Sequence, residues 1–181
     1  MPFSPSTSEY AMRNIELKAL LHDRVAALRV CDALDAIFQD DIRQVDTYFR
    51  VPEGRLKLRE SEPGDDYLVF YRRPDLASTK ACDYTLTVVS RSVKRVLTDA
   101  LGVLAVVTKV RTLYLWENVR IHLDRVDGLG EFIEFEAVLT ESHDDADGHA
   151  KLARLRETFA IAPGAIRAFS YVDMVLGLGG E

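Results

Sequence analysis

One pattern constrains this chain more than any other. Polar and apolar side chains alternate with a period of two in eight stretches, at 13–19, 44–51, 54–60, 67–73, 83–89, 106–116, 118–126 and 131–140. Successive side chains of a β-strand point to opposite faces, so each stretch predicts a strand with one apolar face. Gly54, Pro63-Gly64, Pro74, Glu117-Asn118 and the glycines at 128 and 130 punctuate them. Such short connections favour antiparallel neighbours. Helical spacing appears at 23–38, 92–101, 147–159 and 171–176, with Asp23 placed to cap the first helix and Gly102 to end the second. The expectation is a mainly β (α+β) fold: an eight-stranded antiparallel closed β-barrel, or a strongly curled sheet, with helices packed outside. Residues 1–11 read as a flexible arm, 12–176 as one domain and 177–181 as a flexible tail.

The alternation also sorts charge. Asn14, Glu16 and Lys18 share a face, as do Arg55, Lys57 and Arg59. Lys109 pairs with Arg111, Arg120 with His122 and Asp124, and Glu134 with Glu136, while Arg73 is in phase with Val69 and Tyr71. An antiparallel sheet with one wet face gives the same alternation. Two features argue for the inside of a tube instead. Helices need the apolar faces as seats, which leaves the charged faces together, and the signs segregate along the sequence instead of mixing for pairing. A barrel interior holding Lys18, Arg55, Lys57, Arg59, Arg73, Lys109, Arg111 and Arg120 against Glu16, Asp124, Glu134 and Glu136 is costly without a partner. An elongated polyanion such as a triphosphate fits, since guanidinium forks and ammonium groups bind phosphate oxygens. Clustered carboxylates are hard ligands suited to Mg²⁺ or Mn²⁺.

The formal net charge of −6 argues against a nonspecific nucleic-acid binder. No apolar run is long enough to span a bilayer, and the N-terminus lacks the apolar core of a secretory signal. Cys31 and Cys82 have no zinc-ligand spacing, so a reduced, cytoplasmic setting is expected. The sequence allows a homodimer through an exposed strand or helix without demanding one.

Asn14-Ile15-Glu16-Leu17-Lys18 resembles the N-terminal ExExK signature of the CYTH superfamily, the triphosphate tunnel metalloenzymes. The resemblance continues through Gln44 to Phe49, Gly54 to Glu60, Tyr71 to Pro74, Lys109-Val110-Arg111, Val119 to Asp124, Leu129 to Glu136 and Ser170 to Asp173. It is closest to the class IV adenylyl cyclase-like and thiamine triphosphatase-like branch. It implies an eight-stranded tunnel that binds a triphosphate with divalent metal. Carried over by position, Glu16, Glu134 and Glu136 are metal ligands. Lys18, Arg55, Lys57, Arg59, Arg73, Lys109, Arg111 and Arg120 line the phosphate path, with Lys18, Arg59, Lys109, Arg111 and Arg120 catalytic. The implied partner is tripolyphosphate, ATP or thiamine triphosphate. Three departures stand out: Asn14 replaces the first signature Glu, Glu9 to Met12 lack the His-Phe pair associated with cyclases, and no Lys or Arg follows Arg167. Hydrolysis of a triphosphate therefore ranks above cyclisation of ATP. A non-catalytic triphosphate-binding module, and a plain β-domain with a wet charged sheet, remain as alternatives.

Other features read more plainly. Tyr48, Tyr114 and Trp116 suit either base stacking or packing. His122 suits either phosphate positioning or a hydrogen-bonded structural role. The acidic segment 141–149 lacks EF-hand spacing and reads as a solvated, mobile loop. Both cysteines read as inert thiols.

Overall fold

In β1 (Tyr10–Leu20), Ile15, Leu17 and Ala19 point one way into an apolar core, and Asn14, Glu16 and Lys18 point the other way into a cavity. The same division repeats along β2 (Ile37–Phe49), β3 (Arg55–Glu62), β4 (Tyr67–Arg72), β5 (Lys80–Val88), β6 (Val103–Trp116), β7 (Val119–Val126) and β8 (Gly130–Val138). All pairings are antiparallel, and the strand order β1-β5-β4-β3-β2-β6-β7-β8 closes on itself because β8 pairs with β1. The computed structural model describes residues 10–72 and 80–178. Arg73, Pro74, most of the arm and the end of the tail therefore lie outside the described residues, as do the side chains of Lys80 to Asp83.

Two helices cover the apolar outer face of β1, β7 and β8. Ala27 and Cys31 of α1 (Arg24–Ala33) and Leu152 and Leu155 of α3 (Asp145–Thr158) are buried with Ile15, Leu17, Val119, Ile121, Leu123, Ile133 and Phe135. Each fully buried aliphatic or aromatic side chain there contributes about 1.5–3 kcal/mol. Asp23 caps α1 by accepting from the Ala26 amide at 2.8 Å, and Asp144 caps α3 through the Asp147 amide at 2.9 Å. Between them, α2 (Val93–Leu101) ends at Gly102, whose φ of 73° suits a residue without Cβ. It buries no residue. After a 3₁₀ turn at Pro163–Ala165, α4 (Tyr171–Val175) starts with a capping box in which Ser170 and Asp173 bond each other's backbone.

The helix expected over 23–38 ends at Ala33. Asp35 takes a left-handed φ of 54°, which Asp tolerates better than most residues, and Ile37 and Phe38 already pair with β6 opposite Leu115 and Tyr114. The segment 141–149 is not a loose loop either. Thr140 bridges to His143, and Asp145 already begins α3. Asp147 is held by His143 Nδ1 and by Lys151, both at 2.9 Å. Cys82 falls within β5 instead of preceding a strand.

Candidate functional site

The inner faces of the strands enclose a cavity of about 570 Å³. Glu16, Lys18, Lys57, Arg59, Lys109, Arg111, Arg120, Glu134 and Glu136 all line it, so the barrel brings together nearly every residue singled out from the sequence. Arg55 has the right phase but sits at the first position of β3, and its guanidinium bonds Asp173 of α4 instead of lining the cavity. Arg73 lies outside the described residues.

The cavity is far less cationic than the strand phases suggested, because buried carboxylates match the cations. Asp46 accepts Arg59 Nε at 2.8 Å and Nη2 at 2.7 Å, and Lys57 Nζ at 2.8 Å. Asp124, with no exposed surface, accepts Arg111 Nε at 2.7 Å and Nη2 at 2.6 Å, and lies 3.5 Å from Lys109 Nζ. Burial opposes charge on Asp46, but Arg59 and Lys57 outweigh it and hold the carboxyl well below its usual range. For Asp124 burial is likewise outweighed by Arg111 and Lys109.

Glu134 and Glu136 are held more loosely. Glu134 lies 3.5 Å from Lys18 and 3.6 Å from Arg111, and Glu136 lies 3.3 Å from Arg120 and 3.7 Å from His122. Charge-assisted hydrogen bonds run at about 2.7–2.9 Å; Arg120 Nη1 donates only a long one to Glu136 at 3.3 Å, and the other contacts neutralise charge at greater range. Asn14 Nδ2 also donates to Glu136. Burial opposes charge on Glu134, yet Lys18 and Arg111 lower its pKa overall.

Two amines titrate near neutrality. Burial, reinforced by Arg111, lowers Lys109 to about 7 despite Asp124. Burial and Arg59 lower Lys57 to about 8 despite Asp46. His122 is 3% exposed, and burial with Arg111 holds its pKa well below the usual value. Its Nδ1 has no hydrogen-bond partner, and its Nε2 lies 3.7 Å from Glu136.

At the end of the barrel where β2 stops and β6 starts, α4 packs across the cavity. Tyr171 and Val172 are buried with Val107, Val126 and Phe132. The Tyr171 hydroxyl donates to Asp124 at 2.8 Å, and its ring lies 4.2 Å from Lys18 Nζ and 5.0 Å from Lys109 Nζ. The wall formed by β4 and β5 differs: its described lining residues are Tyr67, Val69, Tyr71, Tyr84 and Leu86, none of them a Lys, Arg, Asp or Glu. Tyr48 lines the cavity, whereas Tyr114 packs edge-on to Phe38 and Trp116 is buried in the outer core.

Asp46, Tyr171 and the β4–β5 tyrosines escaped sequence reasoning. Asp46 is in strand phase with Gln44 and Tyr48, which also line the cavity, and that phase was the available signal. Tyr171 follows the last strand by a whole helix, so no strand phase marks it.

The donor set suits a hard divalent cation. Glu16 stands opposite Glu136 in the β1–β8 ladder, and directly opposed residues have Cβ atoms about 4.5–5.5 Å apart. Glu134 follows two residues along the same face, and the buried Asn14 Oδ1 has no hydrogen-bond partner. Among the described residues these groups are not gathered into a ready-made cluster of three acidic or imidazole ligands. Glu134 and Glu136 lean on their cations instead.

A family model for the CYTH domain matches residues 12–165. A Methanocaldococcus jannaschii protein named "putative adenylate cyclase" is 24% identical over 143 residues, covering 76% of this chain and 81% of that protein. The fold is similar to that of a Pyrococcus horikoshii protein, with a TM-score of 0.77 and 22% identity over 88% of this chain and 98% of the other. It is also similar to a Hippeastrum protein described as a "putative adenylyl cyclase" with a dominant triphosphatase activity, with a TM-score of 0.60 and 18% identity over 94% and 97% of the two chains.

Proposed function

The chain belongs to the CYTH domain family, and on that premise we propose that it binds a triphosphate along its inner wall and hydrolyses it with Mg²⁺ or Mn²⁺. The observation that carries this reading is the convergence of Lys18, Lys57, Arg59, Lys109, Arg111 and Arg120 on one cavity that also holds Glu16, Glu134 and Glu136. Phosphoryl transfer needs positioning and charge stabilisation more than covalent chemistry. Arg59, Arg111 and Arg120 orient phosphate oxygens through their forks, and Lys18, Lys57 and Lys109 supply point charges. Glu16, Glu134 and Glu136 hold the metal, with Asn14 Oδ1 as a neutral oxygen beside them. When bound, the metal neutralises phosphate oxygens and acidifies water. Asp46 and Asp124 keep the cations in place, because each fixes an arginine through two parallel bonds.

Cyclisation of ATP is the second reading. Names of relatives support it, and so does the uncharged, tyrosine-rich wall of β4 and β5, on which an organic group can rest. The deciding experiment is a panel of tripolyphosphate, ATP and thiamine triphosphate with product identification, run with Mg²⁺, with Mn²⁺ and with chelator. Metal-dependent release of orthophosphate is expected. Cyclic AMP and pyrophosphate from ATP would reverse the ranking, and tight binding without any product would select a binding module.

A further inference from the structure

Some of the cations that the proposed function gives to phosphate, Lys18, Arg111 and Arg120, are in the absence of ligand the partners of two carboxylates that it gives to metal, Glu134 and Glu136. Glu134 is held by Lys18 and Arg111, and Glu136 by Arg120. These groups are buried or half-buried, with Lys18 at 6% and Glu134 at 9% exposure, so neither side can be left without a counter-charge at low cost. A divalent cation arriving alone must pull Glu134 and Glu136 away and strand Lys18 and Arg120. A polyanion arriving alone strands the glutamates instead. Arriving together, the two ligands exchange partners with the protein, and every charge remains matched.

The exchange is confined to one part of the wall. Asp46 and Asp124 grip their arginines at 2.6–2.8 Å with two bonds each, whereas the contacts of Glu134 and Glu136 with Lys and Arg side chains stretch to 3.3–3.6 Å. The first set is a fixed frame. The second is held at longer range, with Glu136 accepting hydrogen bonds from Arg120 at 3.3 Å and from the neutral amide of Asn14.

We infer that the tunnel is an ion-exchange site: Lys18 and Arg120 act as internal placeholders for the metal, Glu134 and Glu136 as internal placeholders for the triphosphate, and each ligand strengthens the other by displacing its placeholder, while Arg111 stays clamped on Asp124. This rests on the proposed triphosphate and metal reading and adds to it a reciprocal coupling, which linkage requires to be the same factor in both directions.

The coupling makes a counter-intuitive prediction that avoids chelation of metal by phosphate in solution, because each arm uses one ligand. Lys18→Met removes a phosphate-binding cation, yet it should bind Mn²⁺ alone about tenfold more tightly than the wild type, read as loss of the free-ion paramagnetic resonance signal. Lys18→Arg keeps a placeholder and should bind Mn²⁺ as the wild type does. Conversely, Glu134→Gln should bind tripolyphosphate more tightly than the wild type in chelator, read by calorimetry. Thermal melts of each variant establish that it is folded, and Arg120→Gln serves as a second cation variant should Lys18→Met not fold. Unchanged or weakened single-ligand affinity in the folded variants overturns the exchange. If wild-type protein melts at the same temperature with and without tripolyphosphate plus Mn²⁺, the underlying binding reading fails and the exchange goes with it. A wild-type shift accompanied by unaltered variant affinities removes the exchange alone.

Discussion

The Asp46 and Asp124 clamps and the Glu134–Glu136 ledge occupy the same barrel wall, carry the same kinds of side chain, and are built to opposite tolerances. Each clamp buries its carboxylate almost completely and saturates it with short bonds. The ledge leaves its carboxylates at longer range from their cations, with an unpartnered Asn14 oxygen and an unpartnered His122 nitrogen nearby. Buried ion pairs contribute little net stability when intact, but breaking one strands a charge. The difference therefore separates frame from site: the clamps hold the arginines where they are, and the ledge is free to trade partners.

The comparison can be broken at several points. The largest effect should come from Glu136→Ala and Glu134→Ala, each lowering metal-dependent turnover by about 10²–10³-fold or more, as removal of a key charge stabiliser does elsewhere. Full activity in both, in a phosphate-release assay, would dissolve the ledge as a site. Next, Asp124→Asn should cost about 3–5 kcal/mol of stability in denaturant melts, because it leaves Arg111 and Lys109 buried without their carboxylate. Glu136→Gln, whose partners Arg120 and Asn14 are not clamped by two parallel bonds, should cost far less. A reversed order would erase the distinction between frame and site.

A smaller effect is written in pH. Lys109 and Lys57 titrate at about 7 and about 8, so both lose charge as pH rises. Affinity for tripolyphosphate should fall several-fold between about pH 6 and about pH 9, and binding near neutrality should take up protons, seen as a dependence of calorimetric heat on buffer ionisation. The clamps respond with the opposite sign. Their carboxyls are depressed in the folded state, so the stability they contribute is present above the ordinary Asp range and is lost as pH falls below about 4. The smallest effect concerns the helical face outside the barrel. Cys31 is fully buried, and burial with Asp32 raises its thiol to about 11, so native protein should resist thiol reagents that label it promptly once unfolded.

Strand phase carried much of this architecture in plain view. Once Asn14, Glu16 and Lys18 alternate with Ile15, Leu17 and Ala19, one face must leave the core, and barrel closure decides where it goes. Three things were not legible. The end of α1 depends on a left-handed Asp35, and the early start of β2 is masked by a bulge between Phe38 and Asp40 that breaks the alternation. The charge balance was misjudged because a carboxylate on a strand looks the same whether it faces water or clamps an arginine, as Asp46 does. Arg55 was assigned to the phosphate path by strand phase and by resemblance, and Asp173, from a helix late in the chain, bonds it instead.

Closure has one more consequence, for how copies of this chain can meet. Every strand already has a neighbour on each side, since β1 joins both β5 and β8. Among the described residues no strand is an edge strand along its whole length; one-sided backbone is confined to strand ends such as 37–42 of β2, which limits the usual route by which β-proteins template one another. Apolar side chains on the outside, such as Val106 and Val110 of β6, stand exposed and offer a different kind of contact.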